Sequence, residues 1–500
     1  MKKTIGSLAL AGLFGASLAA QTSAPPSIDL PLAYDTGWVQ NLEESGGPSV
    51  VASFPVFATG ANWVRVFFED VTLSGSVEAG TGSYLTITSM LDGDVQFLNA
   101  EHVAQWQNST AYMNGDGVLV ELWAYPGTGQ NRFVVDHAAT GLPPVLQESQ
   151  CGPTDDRVAS NDPRSSRLLP VGCTSWLIND NCGCFITAGH CTFAANVVQF
   201  NVPLSNNNGS LNNPPASDQY SVDISSRQTN GGQGIGNDYA YFGTFPNSNT
   251  GLTARQAQGS AFVLGNPPAF SSNQIIRITG YGTDGGSANQ TQQTHSGPRV
   301  ANSGSTTLEY QADTTGGNSG SPVIREATGE AIGVHTHAGC SSTGGNHGTA
   351  ITHPGLQGYL NNPQGVCFKA TCGVTAATAT VNGSGVNPLC LNSSNAPIIG
   401  QVWNVEVDAG ASVGATSTFI QIRRGGTSGT FLGIGEVLID LSTNLVFGSV
   451  VNGTGVNVHG IAIPNNPEIV GLDVYIQGGP VVNGVISQLC NAELATIGCQ

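Results

Sequence analysis

Ser319 lies in the run from Asp313 to Val323, DTTGGNSGSPV, a glycine-rich turn followed by Ser-Pro and a β-branched residue. Upstream, Thr187 to Cys191 reads TAGHC and carries His190, and between the two lies Asp238 in NDYAYF. A hydroxyl is a weak nucleophile until a base takes its proton, and an imidazole base needs a carboxylate to hold its tautomer and orientation. All three types are present in the chain order His, Asp, Ser. Together they specify acyl transfer through a Ser-His-Asp triad. Asp223, in YSVDI, competes for the acidic role. Asp238 is preferred because it directly precedes Tyr239-Ala-Tyr-Phe, a strand able to bury its carboxylate against the imidazole.

Gly316, Gly317 and Gly320 surround the nucleophile, so the turn can reach torsions that aim backbone N–H groups at one point. The amides of Gly317 and Ser319 are the expected oxyanion donors. The strand context on both sides, Thr306 to Ala312 and Pro322 to Ile324, must hold this turn rigid.

The elements that position these residues read as β structure throughout. Short alternating strands such as Trp63-Val-Arg-Val-Phe-Phe and Val118-Leu-Val-Glu-Leu-Trp are separated by Gly, Asn and Pro turns, without long amphipathic helical patterns. The 500 residues exceed one core. Residues 151–368 are long enough for two antiparallel barrels. Residues 21–150 read as an N-terminal β-sandwich or propeptide region, closed by a linker at Leu142-Pro-Pro, and residues 372–500 as a C-terminal β-sandwich. Trp38, Trp63, Trp106 and Trp123 either serve the N-terminal core or form a carbohydrate platform, and core is favoured.

Residues 1–20 carry Lys2 and Lys3, an apolar stretch and Ala19-Ala20, the pattern of a secretory signal peptide cut near Ala20. The expected location is therefore extracellular, periplasmic or at the cell surface, with no membrane span. Eleven cysteines then favour disulfides, with an odd thiol left over. Cys191 is expected to bridge to Cys173 and staple the His190 loop. The tight Cys182-Gly-Cys184 pair is read as an ordinary structural disulfide to elsewhere, and Cys390 or a Cys490–Cys499 pair as the staple of the C-terminal region. A net charge of −18 argues against nucleic acid, because nothing would neutralise phosphates.

These motifs also carry a resemblance. TAGHC, NDYA and GGNSGSP, with CGPTDDRV at Cys151 to Val158, QQTHSGP at Gln292 to Pro298 and GVHTHAG at Gly333 to Gly339, resemble the bacterial glutamyl endopeptidases, a branch of the trypsin-like serine proteases. The resemblance covers residues 151–365. It implies an all-β, chymotrypsin-like double antiparallel β-barrel, here flanked by N-terminal and C-terminal β-sandwich domains, and polypeptide substrates cut after glutamate. His335 and Thr314 fall where that family receives the glutamate carboxylate, and imidazole and hydroxyl donors suit that group. Asp313 occupies the place where trypsin-like enzymes select Arg or Lys, which keeps basic specificity as the alternative. His337 departs from the pattern and adds a second imidazole.

No cofactor is called for, although the resemblance allows a structural calcium ion. His335, His337, Cys340 and His347 lack zinc-site spacing, so no metal is expected there. Arg157-Val158 reads as a tryptic processing bond. Trypsin pairs its new N-terminus with an acid that is Asn318 here, so any latency is expected to work by masking, with residues 21–150 as the mask. Two further readings compete. One is a non-catalytic adhesion protein binding a glycan or cell surface through its flanking domains. The other is an esterase, for which the βα context of its serine elbow is missing.

Overall fold

The computed structural model describes residues 23–77, 79–142, 148–180, 183–271, 273–301, 304–341, 344–371, 374–443, 445–464 and 469–499. The signal-peptide reading, the prolines of the Leu142 linker, Cys182 and Cys372 lie outside them. Two compact units result, Met1–Cys367 and Phe368–Gln500.

Alternation in the sequence becomes alternation of faces. In Gly117–Ala124, Val118, Val120, Leu122 and Ala124 point inward while Leu119, Glu121 and Trp123 are half-buried on the other face. This strand sits in a four-stranded sheet with Ser49–Phe57, Tyr84–Ser89 and Val95–Asn99, and a second four-stranded sheet is formed by Ser27–Asp35, Arg132–Gly141, Trp63–Thr72 and Met113–Asn114. Trp63 and Trp106 are buried in the core between them, whereas Trp38 is exposed, so the four tryptophans do not form one platform.

A closed barrel follows, its six strands in the order Ser165–Leu169, Cys173–Leu177, Phe185–Thr187, Ala240–Thr244, Gln219–Thr229 and Val197–Gln199. A second sheet runs Gln293–Ala301, Ile275–Gly280, Pro322–Arg325, Ala331–His337, Asn346–Ala350 and Thr307–Tyr310, and pairing of its first and last strands closes it. The short strand Val158–Ala159 adds to its edge. This is the chymotrypsin-like double barrel, accompanied by further β domains.

The N-terminal sandwich is not separately packed. Leu169, Val197, Leu211 and Ala216 of the first-barrel region share one apolar cluster with Val64, Trp63, Leu85 and Val118. Polar groups cross the same boundary: buried Arg65 donates to Asn196 Oδ1 at 3.0 Å, and the Gln219 amide both donates to the Tyr112 carbonyl and accepts its N–H.

The second unit, residues 368–500, has one sheet built on Ala377–Val381, Ala492–Thr496, Asp473–Val482, Ser417–Arg423 and Leu445–Asn452, and a three-stranded sheet of Leu391–Ser393, Val402–Asp408 and Val456–Ala462. Trp403, Val405, Ile420 and Ile476 fill its core.

The expected Cys173–Cys191 disulfide is present, together with Cys151–Cys340, Cys184–Cys367 and Cys390–Cys490. Cys490 therefore does not pair with Cys499. Strand Leu391–Ser393 and strand Ala492–Thr496 belong to the two facing sheets, and Cys390 and Cys490 just before them can meet. Cys184 finds its partner 183 residues away.

Candidate active site

His190 lies in a short turn, Gly189–Thr192, at the end of strand Phe185–Thr187, and the Cys173–Cys191 disulfide fixes that turn to the neighbouring strand. One residue, Tyr239, separates Asp238 from strand Ala240–Thr244, which pairs with Phe185–Thr187. The pairing brings His190 Nδ1 to 2.6 Å from Asp238 Oδ2, while Oδ1 of the same buried carboxylate accepts the His190 main-chain N–H at 3.2 Å. With Nδ1 donating to the carboxylate, the ring carries its lone pair on Nε2, the tautomer a general base requires. His190 Nε2 has no hydrogen-bond partner among the described residues. A buried polar atom left unpaired costs roughly 1–3 kcal/mol and is retained where chemistry uses it.

Asp223 does not join them. Its oxygens accept from the Ser225 and Val366 main-chain N–H groups and from the Ser225 hydroxyl.

Ser319 is fully buried in the turn after strand Thr314–Thr315, and its hydroxyl donates to the Thr336 carbonyl at 3.2 Å. Apo hydroxyls commonly rest on such an acceptor and swing to the base when substrate arrives. Thr174 holds the turn: its N–H donates to the Ser319 carbonyl at 2.9 Å and its hydroxyl to the Gly317 carbonyl at 2.9 Å. Gly317 has φ +98°, and a Cβ there would lie 2.4 Å from the Tyr281 carbonyl oxygen, so both torsion and space demand glycine.

The peptide units before Gly317 and Ser319 are pinned by their carbonyls. Gly316 accepts from Thr283 N–H at 2.7 Å and Asn318 from Ser321 N–H at 2.9 Å. In a planar trans peptide the N–H points opposite to the C=O, so the amides of Gly317 and Ser319 are turned to the other side.

Beside Ser319, His335 is fully buried and its Nδ1 lies 2.7 Å from the Tyr310 hydroxyl. Burial, and then the neighbouring His337, His190 and His347, push its pKa down to about 3, so the ring is neutral. With the phenol as donor, the His335 proton sits on Nε2. Thr314 is buried too, and its hydroxyl oxygen accepts from Asn346 Nδ2 at 2.8 Å, leaving its own proton to donate elsewhere.

His337 Nδ1 is 4.0 Å from Asp238 Oδ2 and its ring centre is 6.1 Å from that of His190. Burial and then the neighbouring His190 and His347 lower its pKa, against the pull of Asp238.

Asp313 is turned away from this group. One carboxylate oxygen accepts the Cys151 N–H at 2.7 Å and the other the Asp156 N–H at 2.9 Å. Arg157, read from sequence as a processing site, has a side chain 2% exposed, and Val158 beyond it is hydrogen-bonded into a sheet. The Arg157 side chain is packed and the main chain of Val158–Ala159 is paired, although the Val158 side chain is exposed. Thr174, Thr336 and Thr283 were not singled out from sequence. Nothing in a lone threonine signals that its backbone or hydroxyl will meet this turn.

Metal-competent types also gather around His190, but the sulfurs of Cys173 and Cys191 are spent in a disulfide, as is that of Cys340. A second group, Asp156, His295 and Asp313, commits both Asp313 oxygens to main-chain N–H groups.

Residues 173–334 match the family of the trypsin-like peptidase domain. The protein is a serine endopeptidase. Its substrates are polypeptides. No curated protein matches the chain. Among solved structures, a Glu endopeptidase in complex with MPD is 19% identical, with 42% of this chain and 97% of that chain covered and a TM-score of 0.33. A thermostable serine protease from an extremophilic microorganism is 18% identical, with 40% and 96% covered and a TM-score of 0.32. The VesB protease of Vibrio cholerae is 12% identical, with 68% and 98% covered and a TM-score of 0.30. No described helix is long and apolar enough to cross a membrane.

Proposed function

We propose that this is a secreted endopeptidase working through Ser319, His190 and Asp238 and cutting after glutamate. His190 Nε2 takes the proton of Ser319 Oγ as the oxygen bonds to the substrate carbonyl carbon. The amides of Gly317 and Ser319 receive the negative oxygen. His190 then returns the proton to the leaving nitrogen as the C–N bond breaks, and water repeats the sequence on the acyl-enzyme. The observation that carries this reading is the 2.6 Å contact from Asp238 to His190 Nδ1, with Nε2 left without a partner.

The glutamate preference rests on His335 and Thr314. Both are buried, His335 Nδ1 faces the Tyr310 hydroxyl, the Thr314 hydroxyl accepts from Asn346, and imidazole and hydroxyl are groups able to donate to a carboxylate. Asp313 supports it indirectly: two main-chain N–H groups hold its oxygens, so it is not presented to an incoming Arg or Lys. Secretion is supported by the N-terminal pattern together with the disulfides, which persist in oxidising compartments.

The test is digestion of a denatured peptide library by the purified chain and by Ser319→Ala, with cut sites read by mass spectrometry. Cuts after Glu support the pocket. Cuts after Arg or Lys would overturn the pocket and return specificity to Asp313. Absence of any Ser319-dependent cut or fluorophosphonate labelling would overturn the mechanism.

A further inference from the structure

Arg157 has a buried side chain that is hydrogen-bonded to Thr315, at the start of the turn that carries Ser319. Its guanidinium is clamped by Asp155, with Nε at 2.9 and 3.0 Å from the two carboxylate oxygens and Nη2 at 2.5 Å from one of them. Burial raises the Asp155 pKa, but the Arg157 hydrogen bonds and charge outweigh it and lower the net value, so the pair is ionic.

The rest of the fork reaches two loops. Nη1 donates to Thr315 Oγ1 at 2.8 Å and Nη2 to the Thr283 carbonyl at 2.9 Å, while Thr315 Oγ1 donates to that same carbonyl at 2.9 Å. Thr283 in turn gives its N–H to Gly316, and Thr315 gives its N–H to Asn318 Oδ1. Arg157 Nη1, Asn318 Oδ1 and Thr315 Oγ1 converge so tightly on Gly282 that a Cβ there would lie 2.3 Å from each. Two hydrogen bonds therefore separate the guanidinium from the peptide unit whose N–H belongs to Gly317.

The strap that carries Arg157 is anchored on both sides. Cys151 is bonded to Cys340, Cys151 and Asp156 donate to Asp313, and Val158–Ala159 pair with Gln293 and Thr294.

We propose that Arg157 is the positioning residue of the oxyanion turn. An internal guanidinium, not a free N-terminus, shapes the turn, so the uncut chain is already competent there. Hydrolysis of Arg157–Val158 is then not an activating event. This rests on the assignment of Gly317 and Ser319 as oxyanion donors. Arginine suits the task because its planar fork binds a carboxylate and two further acceptors at once, which an ammonium cannot do with fixed geometry.

The experiment uses the full chain with Arg157→Met, Arg157→Lys, Thr315→Val and Ser319→Ala. It measures kcat and KM separately, the rate of fluorophosphonate labelling, and the N-terminal sequence of the active species. Arg157→Met is expected to lower kcat about a hundredfold, the scale of a lost oxyanion donor, with KM nearly unchanged. Guanidinium added to Arg157→Met should restore part of the rate, which a purely structural defect would not allow. Arg157→Lys should fall between.

The wild type should be active with residue 157 still joined to 158, and should show no activity loss with the pKa of an α-amino group near 8. If Arg157→Met does not accumulate, Thr315→Val carries the test, with a kcat loss of about tenfold expected from a displaced donor. Wild-type turnover in Arg157→Met, or in Thr315→Val when it stands in, would overturn the proposal, as would activity appearing only with a new N-terminus at Val158. Labelling that persists in Ser319→Ala would instead sink the underlying mechanism.

Discussion

Around His190 the first barrel packs Trp176, Phe185, Phe200, Tyr220, Tyr241 and Phe242 into one apolar cluster. The second barrel's own cluster is smaller, with Ile276, Ile278, Leu308, Tyr310 and Val323 among its members. What surrounds Ser319 is instead polar and buried: Asp313, Thr314, Thr315, Asn318, Ser321 and His335 are each at most 1% exposed. The first barrel therefore locates its histidine and aspartate by packing on adjacent strands. The second barrel holds the Ser319 turn by hydrogen bonds, several of them supplied by other segments. Packing tolerates polar change poorly at one contact, the Asp–His pair, whereas a hydrogen-bonded turn is vulnerable at every link.

The largest expected effect is on the packed side. Asp238→Asn should lower kcat by on the order of ten thousandfold with little change in thermal midpoint, because the amide holds the wrong tautomer of His190. Asp223→Asn, which leaves His190 untouched, should keep near wild-type turnover, and kinetics on a peptide substrate distinguishes the two. Next, Phe185→Ala should cost about 3–5 kcal/mol of stability. Its ring is fully buried and stacks on Phe242 with centroids 5.3 Å apart, so urea midpoints should drop while active-site titration of the remaining folded protein stays normal.

Gly317→Ala probes the other side. Its torsion and the clash with Tyr281 should cost about a hundredfold to a thousandfold in kcat, with a smaller stability loss than Phe185→Ala. Equal stability losses in the two variants would erase the contrast.

The smallest effect is pH-dependent. His335 has a folded pKa of about 3 against an ordinary value of 6.5, so the unfolded chain binds its proton first as pH falls. Its stabilisation is complete above pH 6.5 and is lost toward pH 3, at up to about 1.4 kcal/mol per pH unit. Comparing urea midpoints of wild type and His335→Asn across that range isolates it. His459 of the second unit, pushed down by burial to about 4, contributes equally to both proteins.

The same contrast explains what could be read from the sequence. His190 and Asp238 sit at the ends of short apolar strands, and Ser319 sits among glycines, so local pattern was enough to single out all three as candidates and to read the barrels around them. Cys173–Cys191 was equally accessible, because Cys191 directly follows His190 and a bridge back to Cys173 staples that turn to its barrel. Asp313 and Arg157 were not accessible in this way. An acid before the nucleophile and an Arg-Val dipeptide each have a familiar meaning. Only the return of residues 151–158 against the second barrel turns that acid onto amides and buries that guanidinium. Trp63 and Trp106 were ambiguous for a related reason, since alternation gives two faces and says only by total pattern which one is covered.

One feature of the first unit bears on how the protein comes apart. Leu169, Val197, Leu211 and Ala216 close the same core as the N-terminal sandwich, and Arg65 crosses to Asn196. Peeling the sandwich away would expose apolar side chains on both partners and strand a guanidinium. A nick between residues 142 and 148 would thus leave two fragments still held as one particle, and on heating they would melt together in a single calorimetric transition.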